Sequence, residues 1–98
     1  MLTITAIIKT PKGIEARVRQ SLLAIIDDVK KNEPGTPNYF ISQDLNDPCV
    51  FTTFERFADK AGMDKHNGSA AVAELYAIVK EVGASVTLVT CEEFAIKA

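Results

Sequence analysis

The chain has 98 residues, 47% of them apolar and 24% charged, with five Gly and four Pro. That length holds one hydrophobic core and one domain over residues 1–98, and that composition excludes disorder, collagen-like repeats and coiled coil. Eleven basic against thirteen acidic residues give a net charge of −2, so no positive excess is present to neutralise a nucleic-acid backbone.

The first segment, Leu2 to Lys9, alternates β-branched and small residues and is predicted to be a strand, ended by Thr10-Pro11-Lys12-Gly13. Ile14, Val18, Leu22, Ile25 and Val29 then recur at spacings of three and four. They form the apolar stripe of a helix about five turns long, which Pro34-Gly35-Thr36-Pro37 stops. Asn38 to Asp44 and Cys49 to Phe57 read as two strands joined by the turn residues Leu45-Asn46-Asp47-Pro48. Asp59 is placed to cap a short helix through His66, and Ser69 to cap a longer one ending near Gly83 with Val72, Leu75, Tyr76 and Val79 on its apolar face. Ala84 to about Phe94 is the last strand.

Strand, helix, strand, strand, helix, strand is the ferredoxin-like βαββαβ order, an α+β fold with a four-stranded antiparallel sheet and helices on one face. Two helices cover only one face of such a sheet, yet both faces here carry apolar residues: Leu2, Ile4 and Ile8 against Ile7, Phe51 against Phe54, and Val86 and Leu88 against Val89. A homodimer joining sheet face to sheet face is the expected way to cover the second face. The N-terminus shows no basic start followed by a cleavage site, and no apolar run approaches the length of a membrane span. With only Cys49 and Cys91, neither a disulfide scaffold nor a cysteine-based zinc site is expected, and the setting reads as cytoplasmic.

No phosphate-binding glycine loop, nucleophile elbow or paired-histidine metal helix is present. The polar candidates are therefore isolated ones. His66 is the single histidine and the side chain best suited to proton transfer near neutrality, although its place at a helix C-terminus also suits a capping role. Glu55 shares a strand side with Phe51, Thr53 and Phe57, which draws its carboxyl into the interior either as a tuned acid–base group or as a structural anchor. Tyr39 and Tyr76 carry phenol donors on apolar bodies. Asp44 and Asp47 flank a turn and fit turn geometry.

Glu33-Pro34-Gly35, Tyr39, Gln43-Asp44-Leu45-Asn46-Asp47-Pro48, Phe54-Glu55-Arg56-Phe57-Ala58-Asp59-Lys60-Ala61, His66 and Ser69 follow one another in an order that resembles the antibiotic biosynthesis monooxygenase family, which includes small quinol monooxygenases. The resemblance implies a dimeric α/β barrel with a pocket in each subunit between sheet and helices. It also implies cofactor-free oxygenation of a quinol or related phenolic compound. A binding or stress-related dimer without turnover, and an isomerase using the same pocket, are the alternatives that such a fold leaves open. Carried over by position, Tyr39, Glu55 and His66 become catalytic polar groups, with His66 the expected proton acceptor. Phe51, Phe57 and Tyr76 become apolar walls for a flat substrate, with no metal and no cofactor required. Three departures stand out: Phe57 where many members have Trp, no Asn in the first strand, which argues against haem breakdown, and Ala71 where many members have a second His.

Overall fold

The computed structural model describes residues 1–94. The elements run β1 (Leu2–Lys9), α1 (Glu15–Asn32), β2 (Asn38–Gln43), β3 (Val50–Phe57), α2 (Lys60–Asn67), α3 (Ala70–Val82) and β4 (Ser85–Glu92). All sheet pairings are antiparallel and the strand order is β2-β3-β1-β4, the ferredoxin-like arrangement.

Local chemistry sets the ends of these elements. Asp59 accepts from the Gly62 amide to start α2, and Ser69 accepts from the Val72 amide to start α3. Gly83 closes α3 in the left-handed conformation, φ 74°, which a side chain would strain. Four strand ends fall inside the sequence expectation, the start of β4 at Ser85 instead of Ala84 among them. Asp44 leaves β2 because its carboxylate accepts from the Asn46 and Asp47 amides and so builds the turn. Cys49 precedes β3, its amide donating to the Asp47 carboxylate. At the other end of the sheet β4 stops at Glu92, and Glu93 turns its side chain onto Arg56 and Thr3 instead.

The two-residue period of each strand sorts the side chains. Ile8 and Phe51 face the helices and pack with Val18, Leu22, Ile25 and Val29 of α1 and Val72, Leu75 and Val79 of α3. Glu55 is drawn to the same side, opposite Ile4 of β1 and Tyr39 of β2. The other sheet face leaves Ile7, Phe40, Phe54 and Val89 exposed at 47%, 56%, 41% and 55%. At one end of that face Arg56 holds Glu93 by two hydrogen bonds of 2.7 and 3.0 Å and reaches Asn38 at 3.2 Å. Those bonds to Arg56 and Thr3 keep the Glu93 carboxyl down at about 2.

Leu22 is fully buried at the centre of the α1 stripe. Leu22→Ala is therefore expected to lower the unfolding free energy by about 2–5 kcal/mol in urea titration. A change below about 0.5 kcal/mol would contradict the assigned core, since that is the range of surface substitutions.

Candidate functional site

The site begins where three separate pieces of chain bring ionisable groups under the sheet. Glu33 follows α1, Glu55 lies on β3, and His66 is the buried residue of α2. His66 Nδ1 lies 2.9 Å from Glu33 Oε1, and His66 Nε2 lies 3.1 Å from Glu55 Oε1. The three side chains are only 3%, 3% and 9% exposed for His66, Glu33 and Glu55. Glu55 Oε2 also accepts from Thr53 Oγ1 at 2.7 Å, and Glu33 Oε1 from Thr36 Oγ1 at 3.0 Å. Phe57 and Tyr39 flank the imidazole, with ring centroids 5.3 and 5.4 Å away.

Electrostatics decides the state of the ring. Burial alone pulls the His66 pKa down, but the contact with Glu55 and the charges of Glu55 and Glu33 outweigh it and hold the ring above its ordinary 6.5. The shift favours the protonated ring, which has a carboxyl at each of its nitrogens. The same setting acts oppositely on the phenols. Burial and then the charge of Glu55 raise Tyr39 far above the ordinary tyrosine range, with Glu33 adding to it, and raise Tyr76 as well. Both therefore remain hydrogen-bond donors.

A cleft opens onto this array. Its floor is Ile4, Ala6 and Ile8 of β1 with Thr53 and Glu55 of β3; Tyr39, His66 and Leu75 stand around it, and Tyr76 and Leu88 flank the mouth half-exposed. It holds about 450 Å³, part of it open to solvent. Among the described residues no lysine or arginine lines it.

The structure brings four of the sequence-predicted residues together on this cleft: Tyr39, Glu55, His66 and Tyr76. Phe51 and Phe57 lie elsewhere. Phe51 is fully buried in the core below the cleft, and Phe57 is buried against the ring of His66, so neither forms the wall. The smaller Thr53 and Ala6 occupy the depth that those phenyl rings were expected to line. Glu33 was not singled out from local patterning, since it lies past the apolar stripe of α1; its one signal was membership of the Glu33-Pro34-Gly35 segment. Among the described residues no three His, Cys, Asp or Glu side chains converge to hold a metal ion, since His66 lies between the two carboxylates.

Residues 1–77 match the family model described as antibiotic biosynthesis monooxygenase. The chain belongs to that family. Its fold is also that of several solved structures. A Deinococcus radiodurans protein proposed as an antibiotic biosynthesis monooxygenase superposes with a TM-score of 0.87 at 20% identity, over 100% of this chain and 97% of that one. A Pseudomonas aeruginosa protein gives 0.84 at 21% identity, over 96% and 94% of the two chains. A Shewanella oneidensis protein gives 0.81 at 22%, over 92% and 87%. At such identities the likeness is one of fold. No curated protein matches the sequence. Among the described residues no helix is long and apolar enough to cross a membrane.

The array links folding to pH with a definite sign. Unfolded His66 titrates near 6.5 and the folded residue higher, so the folded chain holds that proton more tightly. Its contribution to stability is complete below pH 6.5 and disappears as pH rises through the folded value. Relative to His66→Gln, the urea midpoint of the native chain should fall as pH is raised above 6.5; parallel profiles of the two proteins would contradict the assignment.

Proposed function

We propose that this family member is a cofactor-independent monooxygenase acting on a neutral quinol or related phenol, with Glu55, His66 and Tyr39 as its catalytic groups. The observation that supports this best is the buried Glu33–His66–Glu55 array opening on a cleft whose other lining is mostly apolar. A carboxylate of such an array can take up one proton, which moves the negative charge onto the substrate oxygen, where a nearby hydrogen-bond donor must receive it.

The steps balance without an added reductant. The phenolic proton passes to Glu55 rather than to the His66 expected from the sequence, because Nδ1 and Nε2 of that ring already face the carboxyls of Glu33 and Glu55. The resulting electron-rich anion reduces oxygen and a ring C–O bond forms to a peroxide. Glu55 returns the proton to the outer peroxide oxygen, the O–O bond breaks, and the hydrogen on the reacting carbon leaves with that oxygen as water. A hydroquinone and O₂ thus give a hydroxyquinone and H₂O, the substrate supplying every electron. Tyr39, held protonated by its surroundings, donates to the oxyanion. The planar ring lies against Tyr76, Val86 and Leu88, which line the cleft with Glu55.

The second sheet face supports a homodimer. Ile7, Phe40, Phe54 and Val89 form an exposed apolar surface, Phe40 and Phe54 touching with centroids 6.3 Å apart, and two copies meeting there would remove it from water. The half-exposed thiol of Cys49 and the exposed one of Cys91, both unpaired, suit a reducing cytoplasmic setting.

Oxygen uptake by the metal-stripped protein with a panel of hydroquinones tests the reaction, and His66→Ala should lower turnover by about 10²-fold or more. No uptake above the buffer rate would overturn the oxygenase reading, and conversion of substrate without oxygen would replace it with an isomerase. In sedimentation, Phe54→Asp should shift the protein to monomers; an intact dimer would show that this face is not the interface.

A further inference from the structure

Glu33 does not line the cleft, yet it is as deeply buried as the histidine it touches. It lies one residue past α1, in a segment fixed at four points. The Glu33 amide donates to the Val29 carbonyl at 3.1 Å, and the Thr36 amide donates to the Glu33 carbonyl at 3.1 Å. The Gly35 carbonyl accepts from the Ala58 amide, just past β3, at 2.9 Å. The fourth point is a backbone contact with α2. A Cβ on Gly62 would stand 2.8 Å from the Gly35 oxygen, and one on Gly35 would stand 3.1 Å from the Gly62 Cα. Neither glycine has a positive φ, so it is space and not backbone conformation that excludes a Cβ at Gly62 and crowds one at Gly35.

Gly62 precedes His66 by one helical turn, so this contact sets the separation between the segment carrying Glu33 and the helix carrying the imidazole. Glu33 Oε1 then receives both Thr36 Oγ1 and His66 Nδ1, while Oε2 is buried without any partner. Burying an ion pair adds little net stability and an unpartnered carboxylate oxygen subtracts from it. The Oε1 of this carboxylate holds the His66 ring, whereas its unpartnered Oε2 adds nothing to the fold.

We propose that Glu33 is a positioning residue for the cleft: clamped by the Gly35–Gly62 contact, it fixes the His66 ring through Nδ1 with Nε2 set against Glu55, and so leaves Glu55 as the group that takes the substrate proton. The proposal rests on the acid–base reading of the cleft given above. The titratable groups around the ring are Glu33 from the α1–β2 segment, Glu55 from β3 and Tyr39 from β2, with Tyr76 of α3 on the wall of the same cleft. Of these, only Glu33 engages the nitrogen turned away from Glu55. Removing its charge leaves the imidazolium with one carboxylate counter-charge instead of two.

The chain has a single histidine, so one pair of ring nitrogen resonances reports the array directly. In the ¹⁵N-labelled full chain, Glu33→Gln should lower the His66 titration midpoint by about one to three pH units. Gly62→Ala should lower it too while leaving every charge in place, because the added methyl pushes the Glu33 segment away. With a hydroquinone, Glu33→Gln should lower kcat at constant KM and move the pH profile with the resonance midpoint. An unshifted midpoint in folded Glu33→Gln overturns the proposal. If that variant does not fold, an unshifted midpoint in Gly62→Ala overturns it. Absence of oxygen uptake by the native chain would strike the oxygenase reading alone, since the resonance experiment needs no turnover.

Discussion

A histidine buried between two carboxylates is the constraint around which this protein is arranged. An imidazolium or a carboxylate alone under the sheet would be destabilising by several kcal/mol. Each of the three groups is acceptable there only because the other two are in place. That requirement fixes where three distant pieces of chain must lie: the turn after α1, the end of β3, and the last turn of α2. The apolar packing of α1 and α3 on the sheet supplies the cohesion, and the two-glycine contact between Gly35 and Gly62 supplies the closeness.

The proposed chemistry follows from that array, in which each ring nitrogen of His66 meets a carboxyl and only Glu55 and His66 of the three also line the cleft. The protonated Tyr39 and Tyr76 add donors without adding charge. Among the described residues no lysine or arginine lines the cleft, in keeping with the uncharged phenol proposed as substrate.

Much of the fold was legible because it is written in local periods. The alternation of Leu2 to Lys9 and the three-and-four spacing from Ile14 to Val29 each describe an element that meets a single apolar layer, and the structure places them so. The same period put Glu55 on the interior side of β3. The site was harder to read for a physical reason. Local pattern gave His66 as a residue near a helix C-terminus, equally suited to capping, whereas its burial depends on β3 and the Glu33 segment, which are distant in sequence. Glu33 sits outside any periodic element, and nothing local says that the chain there turns inward. Phe51 and Phe57 lie on the expected side of the sheet, but the depth of the cleft is a property of packing that a two-residue period does not carry.

An oxygen-free crystal structure of the protein with a bound hydroquinone tests the central claim most directly. The account predicts a substrate hydroxyl within hydrogen-bond distance of Glu55, with the ring against Tyr76 and Leu88 and the Glu33–His66 contact unbroken. A hydroquinone bound with both hydroxyls away from Glu55, or seated outside this cleft, would contradict it.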